Sequence, residues 1–257
     1  METQELGKRF SVVIAAGGVA PEAVQRREYV LAKGELSVGG TACVTRVCTA
    51  VLDAGLPGVV VGGPRIEPLV AGLGFVAERS GAIANFRAGV EALPSAPAIV
   101  FLPSDAPFLT GDCLRDFAMR LAAEEGEWLA MGVTSASVYA EAFPEAPKKS
   151  VRMREGRMHS GALYAGSRAG FLQTLDALEG MFRDRRSQLA MAKRVGVWQA
   201  IRFGLGLLDF AEAAALFERV SGVRGVAVHD CDPGMVVDID DLMQLDQARA
   251  IYRRLVQ

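Results

Sequence analysis

At 257 residues the chain is long enough for one large α/β domain or two small ones with an ample core. Charged residues are 23% of the total and the formal net charge is −2, so nothing predicts a generic attraction to nucleic acid or anionic lipid; hydrophobic residues reach 51%, yet no uninterrupted apolar run is long enough to span a bilayer. The N-terminus METQELGKRF lacks the apolar stretch of a signal peptide. Cys43, Cys48, Cys113 and Cys231 stand apart without a C-x-x-C pair or nearby histidines, so structural zinc is not expected and a reducing cytoplasm is the expected compartment.

The first element is SVVIAAGG. Val12, Val13 and Ile14 are β-branched and read as a buried strand, and Ala15-Ala16-Gly17-Gly18 ends it with small residues. A glycine pair after a strand lets backbone N–H groups approach a ligand that a Cβ would exclude, and Lys33 further along would supply positive charge if that ligand carries phosphates; the alternative is a tight turn with a surface lysine. Thr41 to Ala54 places apolar residues at helical spacing and Gly55 closes it. Gly58 to Gly63 is a second short strand, Ile83 to Leu93 a helix, and Ala98 to Leu109 a third strand that stops at Pro103-Ser104-Asp105. Cys113 to Glu124 reads as a helix and Glu127 to Val133 as a fourth strand. This alternation implies right-handed crossovers and a mostly parallel sheet, with ligands at the carboxyl ends of the strands, where both glycine turns and Asp105 fall.

The second half is less regular. Glu141 to Gly166 is rich in Pro, Gly and charge and contains short β segments; Arg168 to Val220 is mainly helical; GVRGVAVHD is a strand; and PGMVVDIDDLMQLDQARAIYRRL is a last strand followed by a terminal helix.

Three separated pieces fall into one pattern: the AAGG loop with Lys33 and GELSVGG, the strand end FLPSDAPFL, and the late VVDIDDLMQLDQA. Together they resemble the MobA-like NTP transferase domain of the nucleotidyltransferase superfamily, over Val12 to Ala248. The loop is longer than the family's and lacks its R-M-G, and Asp241-Leu242-Met243-Gln244 stands where T-P-E-D-L is usual. The resemblance implies one domain over 1–257, a three-layer αβα sandwich with a mostly parallel central sheet (GT-A-like, Rossmann-like), a nucleotide-binding half over about 10–135 and an acceptor half over about 136–257. It implies a Mg²⁺-dependent transfer of NMP from an NTP to a small anionic acceptor. Ala15, Ala16, Gly17, Gly18, Lys33, Asn85 and Ser104 would bind nucleotide, Lys33 and Asp105 would be catalytic, and Asp105 and Asp240 would hold the metal, with Asp238 a close second.

Each residue also has a plainer reading. Asp105 could form an Asx turn before Pro107, Asp240 or Asp241 could cap the terminal helix, and Asn85 could decorate a helix surface. Ser160-Gly161 resembles an acceptor-side loop whose missing side chain leaves room for substrate, and Lys148 and Arg152 lie on the approach to it. The cluster Arg183, Arg185, Arg186, Lys193 and Arg194 reads first as solvated surface, with an acceptor phosphate or a lipid headgroup as the alternatives. A lone His159 or His229 reads as structural. A dinucleotide-binding oxidoreductase fails because AAGGVA is not G-x-G-x-x-G. A glycosyltransferase using Asp238-Ile239-Asp240 would carry that motif mid-chain. A catalytically silent nucleotide binder of the same fold remains the alternative.

Overall fold

The computed structural model describes residues 3–184 and 197–256. β1 (Phe10–Ala15) directs Val12 and Ile14 to one face and Val13 to the other, all three fully buried. A strand apolar on both faces needs a helical layer on each side. It pairs in parallel with β4 (Gly58–Gly62) and β6 (Ala98–Pro103), placing Val13 between Val59 and Phe101. β5 (Gly74–Ala77) extends the parallel sheet beyond β4. On the other flank β9 (Gly156–Ser167) runs antiparallel between β6 and β7 (Trp128–Ser135), and β10 (Arg224–Val228) is parallel to β7. The order is β10-β7-β9-β6-β1-β4-β5, with β8 (Val151–Met153) hairpinned onto β9, while β2 (Ser37–Val38) and β3 (Thr41–Ala42) form a separate antiparallel pair.

α3 (Cys43–Asp53) and α5 (Gly111–Arg120) cover one face, where Val44, Val47, Leu114 and Phe117 meet Val12, Ile14, Val60 and Leu102. α4 (Ala82–Glu91) and α7 (Arg168–Asp184) cover the other, where Val90 and Phe171 meet Val13, Val61, Ile99 and Phe101. Each fully buried aliphatic or aromatic side chain contributes roughly 1.5–3 kcal/mol. The result is the expected three-layer αβα sandwich with a mostly parallel sheet.

Elsewhere the elements depart from expectation. The segment Glu141 to Gly166 holds not only short β pieces but also α6 (Ala136–Ala142) overlapping its start and most of the twelve-residue β9, which lies inside the sheet. Gly161 and Gly166 weaken the strand signal, yet both are forced by close backbone: an added Cβ would lie 2.5 Å from the Met235 carbonyl oxygen and 2.7 Å from that of Trp128. Val236 to Asp240 is not a strand. Val236 turns in a right-handed helical conformation and Val237 to Asp240 is irregular chain outside the sheet, with Val237 and Ile239 buried. Short α1 (Thr3–Arg9), α2 (Glu22–Glu28) and β5 carry too few apolar residues to stand out in sequence. Within the stretch read as helical from 168 to 220, α7, α8 (Val197–Gly204) and α9 (Phe210–Ser221) are helices; Arg183 lies on α7, and Arg185, Arg186, Lys193 and Arg194 lie outside the described residues.

Two smaller clusters bring the chain ends together. Ala20, Val24, Leu36, Val38 and Cys43 pack against Ile239, Leu245 and Ala248 of the segment entering and forming α10 (Leu242–Leu255). Tyr139, Phe143 and Ala146 hold Val236, Val237 and Ile251. The segment carrying Asp238 and Asp240 is therefore clamped from both sides. All four cysteines are buried and free.

Candidate active site

β1 and β6 are parallel neighbours in register Ala15–Pro103, so the loops that follow them emerge side by side, and the Ser104 N–H donates to the Ala15 carbonyl at 3.0 Å. Ala15, Gly17, Gly18, Ser104 and Asp105 line one cleft, while Ala16 turns its methyl into the core. Lys33 reaches this edge because the long loop folds back on itself: Ala20 N–H bonds Leu31 O and Lys33 N–H bonds Gly18 O, both at 2.9 Å. The Glu35 carboxylate then fixes the turn, accepting from the N–H groups of Leu31 and Ala32 at 2.7 Å and pairing with Arg65 at 2.6 Å. Burial opposes the Glu35 charge, but these donors outweigh it and lower its pKa. Gly34 allows the Lys33 turn to seat against the β6 loop, since a Cβ there would come within 2.9 Å of Ser104 Oγ.

The Lys33 ammonium lies 3.2 Å from Asp105 Oδ2 and also bonds Asp240 Oδ1, joining three residues spread over most of the chain. Burial works against the Lys33 charge, yet the two aspartates outweigh it and raise its pKa above the ordinary lysine value. Asp105 is itself buried; burial raises its carboxyl above the ordinary range, the Asp238 charge adds to this, and Lys33 opposes it. Asp238 is held by Lys148, which also donates to Val236 O at 2.6 Å. Asp241 caps α10 by accepting from Gln244 N–H at 2.8 Å. The capping reading thus belongs to Asp241, which leaves the Asp240 carboxylate facing Lys33.

The opposite wall comes from β5 and α4. Asn85 Oδ1 accepts from Arg79 N–H at 2.5 Å, and an added Cβ on Gly17 would lie 2.9 Å from Asn85 Nδ2 and 2.5 Å from Glu78 Oε2. The amide and the Glu78 carboxylate therefore lie directly against the glycine loop, and together they line a cavity of about 380 Å³, large enough for much of a nucleotide. Nothing in the sequence pointed to Glu78. It follows β5, and with that strand unrecognised no signal placed Glu78 at a strand end.

The residues expected on the acceptor side are not gathered in the same way. Ser160 is exposed on β9 opposite Val133, towards the edge where β7 ends. Gly161 is in a strand rather than a loop, and the space expected beside it is filled by the Met235 carbonyl. Arg152 is exposed on β8, with its aliphatic stem against Gly206. His159 is buried, packs at a tilt against Tyr139 with 4.6 Å between ring centroids, and burial lowers its pKa, as befits a structural histidine. Gly161→Val is accordingly expected to cost about 3 kcal/mol or more by overpacking, read as a lower urea midpoint at unchanged slope. A midpoint equal to the parent's would show that the strand can give way there.

A cation already sits between Asp105 and Asp240, in the form of the Lys33 ammonium, so these carboxylates suit a hard divalent ion that takes one or two carboxylates and completes its shell with water and phosphate oxygens. Among the described residues no group of three or more His, Cys, Asp or Glu could enclose a metal by itself. A glycine loop, a lysine and two aspartates thus meet beside one cleft at the carboxyl edge of an open α/β sheet, the edge where such sheets bind their ligands.

The chain belongs to the MobA-like NTP transferase domain family, which it matches over residues 12–193, and is a nucleotidyl transfer enzyme with the GT-A-like fold. A hypothetical transferase from Thermus thermophilus is 28% identical, superposes with a TM-score of 0.78, and is matched over 92% of this chain and 99% of its own. A CMP:2-keto-3-deoxy-manno-octonic acid synthetase complexed with CTP has 16% identity, a TM-score of 0.61, and coverage of 96% and 99%. A 2-C-methyl-D-erythritol 4-phosphate cytidylyltransferase, also from Thermus thermophilus, has 19% identity, a TM-score of 0.54, and coverage of 95% and 99%. A search of curated proteins returned no match. Among the described residues no helix is long and apolar enough to cross a membrane.

Proposed function

We propose that this enzyme transfers an NMP group from an NTP to a small, phosphate-bearing acceptor in a Mg²⁺-dependent reaction that releases pyrophosphate. The observation that carries this reading is the Lys33 ammonium bridging Asp105 and Asp240 at the mouth of the glycine loop. An acceptor oxygen attacks the α-phosphorus in line; its P–O bond forms as the bond to pyrophosphate breaks. Asp105 and Asp240 would hold Mg²⁺, which when bound neutralises charge on the phosphate oxygens. Backbone N–H groups of Gly17 and Gly18 donate to the phosphates. Lys33 moves its charge from the carboxylates to the oxygens that become more negative in the transition state. Asn85 and Glu78 orient the base or ribose with an amide and a carboxylate.

The first half of the domain, about 10–135, holds the nucleotide in this scheme, and about 136–257 forms the acceptor wall. Ser160 and Arg152 face the acceptor. Lys148 reaches it only by exchanging its Asp238 partner, so its first role is to hold the Asp238–Asp240 segment in place.

Each of the four NTPs with Mg²⁺, offered together with sugar, polyol and lipid-type phosphates, tests the reading through pyrophosphate release. One NTP is expected to give acceptor-dependent release. Binding of MgNTP, seen as a raised melting temperature, without release from any combination would favour a silent nucleotide binder.

A further inference from the structure

Asp240 stands one residue before Asp241, the cap of α10, and Arg249 lies on that helix about 12 Å further along at a rise of about 1.5 Å per residue. Arg249 reaches both flanks of the Lys33 segment. Its two terminal nitrogens donate to the Glu28 carboxylate at 3.0 Å and 2.6 Å, and its Nε donates to the Ser37 carbonyl at 3.1 Å. Glu28 precedes Lys33 and Ser37 follows it, so all three guanidinium nitrogens hold the stretch of chain that presents the lysine. The pair is largely shielded from water, with 16% of the Glu28 side chain and 32% of the Arg249 side chain exposed. The Arg249 hydrogen bond is the largest influence on Glu28 and lowers its pKa against the effect of burial. One turn further along α10, the Tyr252 ring lies against Gly39, where an added Cβ would run into it, so the same helix face also holds the chain beyond Ser37.

Apolar packing alone would not fix how Lys33 meets Asp240. Leu36 and Val38 pack against Ile239 and Leu245, but such contacts are non-directional and resist separation more than sliding. A planar guanidinium that grips a carboxylate with two bonds and a carbonyl with a third admits one alignment. The helix is a rigid rod, so seizing Glu28 and Ser37 at Arg249 also fixes the Lys33 segment against Asp240 at the helix start.

We propose that Arg249 is a positioning residue: by clamping Glu28 and Ser37 it sets the alignment of Lys33 with Asp240, and with it the place where the ammonium meets the nucleotide phosphates. The consequence for the phosphates rests on the proposed transfer reaction, whereas the alignment itself does not. Arg249 does not line the cleft and acts through Lys33. Without its guanidinium, Glu28 keeps Arg27 at 2.8 Å, and Arg27 still ties the loop to α10 through Asp246 at 2.8 Å and 2.9 Å, so the helix stays docked.

Arg249→Met keeps the aliphatic stem and removes the fork. The full-length variant is assayed with Mg²⁺, each of ATP, CTP, GTP and UTP, and the sugar, polyol and lipid-type phosphates. Its kcat is expected to fall about tenfold or more while KM for the NTP stays within about threefold of the parent, because the glycine loop still holds the phosphates. Arg249→Lys keeps the charge without the fork and is expected to regain melting temperature but not kcat. Arg254→Met is the control: it cuts another tie of α10, from Arg254 to Glu145 at 2.6 Å and to the Ala142 carbonyl at 2.7 Å, and is expected to lower the melting temperature with kcat at the parent value. An unchanged kcat in Arg249→Met, or a full recovery of kcat in Arg249→Lys, overturns the proposal. So does an equal loss of kcat in Arg254→Met, because fastening the helix anywhere would then suffice. A readout without substrate separates the alignment from the chemistry: urea midpoints of Lys33→Ala, Arg249→Met and the double variant. The double variant is expected to lose less than the sum of the single losses, and strict additivity overturns the alignment. If no NTP turns over with the parent, the transfer reading fails and these midpoints alone decide the positioning role.

Discussion

Asp105→Asn is expected to abolish metal-dependent NTP binding and to lower turnover by on the order of 10³-fold, while leaving the ligand-free protein as stable as the parent at pH 7 or more so. The two effects have one cause. Burial is the largest influence on Asp105 and raises its carboxyl, with Asp238 adding and Lys33 opposing. A raised value means that the folded state holds the proton more tightly than the unfolded chain. Asp105 therefore favours folding at pH below the ordinary aspartate range, and that contribution is lost as pH rises through the folded value. Above the folded value the ionised carboxylate is a cost that the amide removes, and Lys33 keeps Asp240 as a partner. Melting curves with and without MgNTP, together with pyrophosphate release, read both halves. If the variant binds MgNTP like the parent, Asp105 does not hold the metal; if its ligand-free melting temperature falls sharply, the carboxylate is a structural partner of Lys33 first.

Lys33→Ala is expected to do the reverse to stability. Removing the ammonium leaves Asp105 buried and ionised with Asp240 beside it, a loss of about 3 kcal/mol, the lower figure for stripping one partner from a buried pair, because Lys33 is partly open to water. The Lys33 pKa is raised, so its contribution is complete below the ordinary lysine range and is lost only as pH rises through the higher folded value. Divalent cations should recover more stability in this variant than in the parent, since they would fill the position the ammonium leaves. Turnover should fall about 10²–10³-fold with the KM for NTP nearly unchanged, as expected for a charge used mainly in the transition state. An unchanged kcat with a raised KM would give Lys33 a binding role only. A melting temperature unaffected by Mg²⁺ would argue that the position between the two aspartates is not a metal position.

Local signals made the nucleotide half of the site readable. β1, β4 and β6 are rich in β-branched residues and each is followed by residues that favour a turn, so local sequence alone puts Gly17, Gly18 and Asp105 at the carboxyl edge. What lay beyond reach was whatever depends on neighbours distant in sequence. β9 was obscured because Gly161 and Gly166 answer to the carbonyls of Met235 and Trp128, and a glycine required by a neighbouring backbone looks the same in sequence as one that breaks a strand. The Val236–Asp240 segment has the alternation of a strand but joins no strand of the sheet; two apolar clusters grip Val237 and Ile239 and hold it in place. Glu78 was invisible for as long as short β5 was. Above all, the pairing of Lys33 with Asp240 spans 207 positions and arises from packing Leu36 and Val38 against Ile239 and Leu245. By itself the sequence determined that β1, β4 and β6 form, where they end and which charged residues stand near those ends. Only the tertiary structure decided which of those charges meet, because that is set by the apolar contacts that bring the two ends of the chain together.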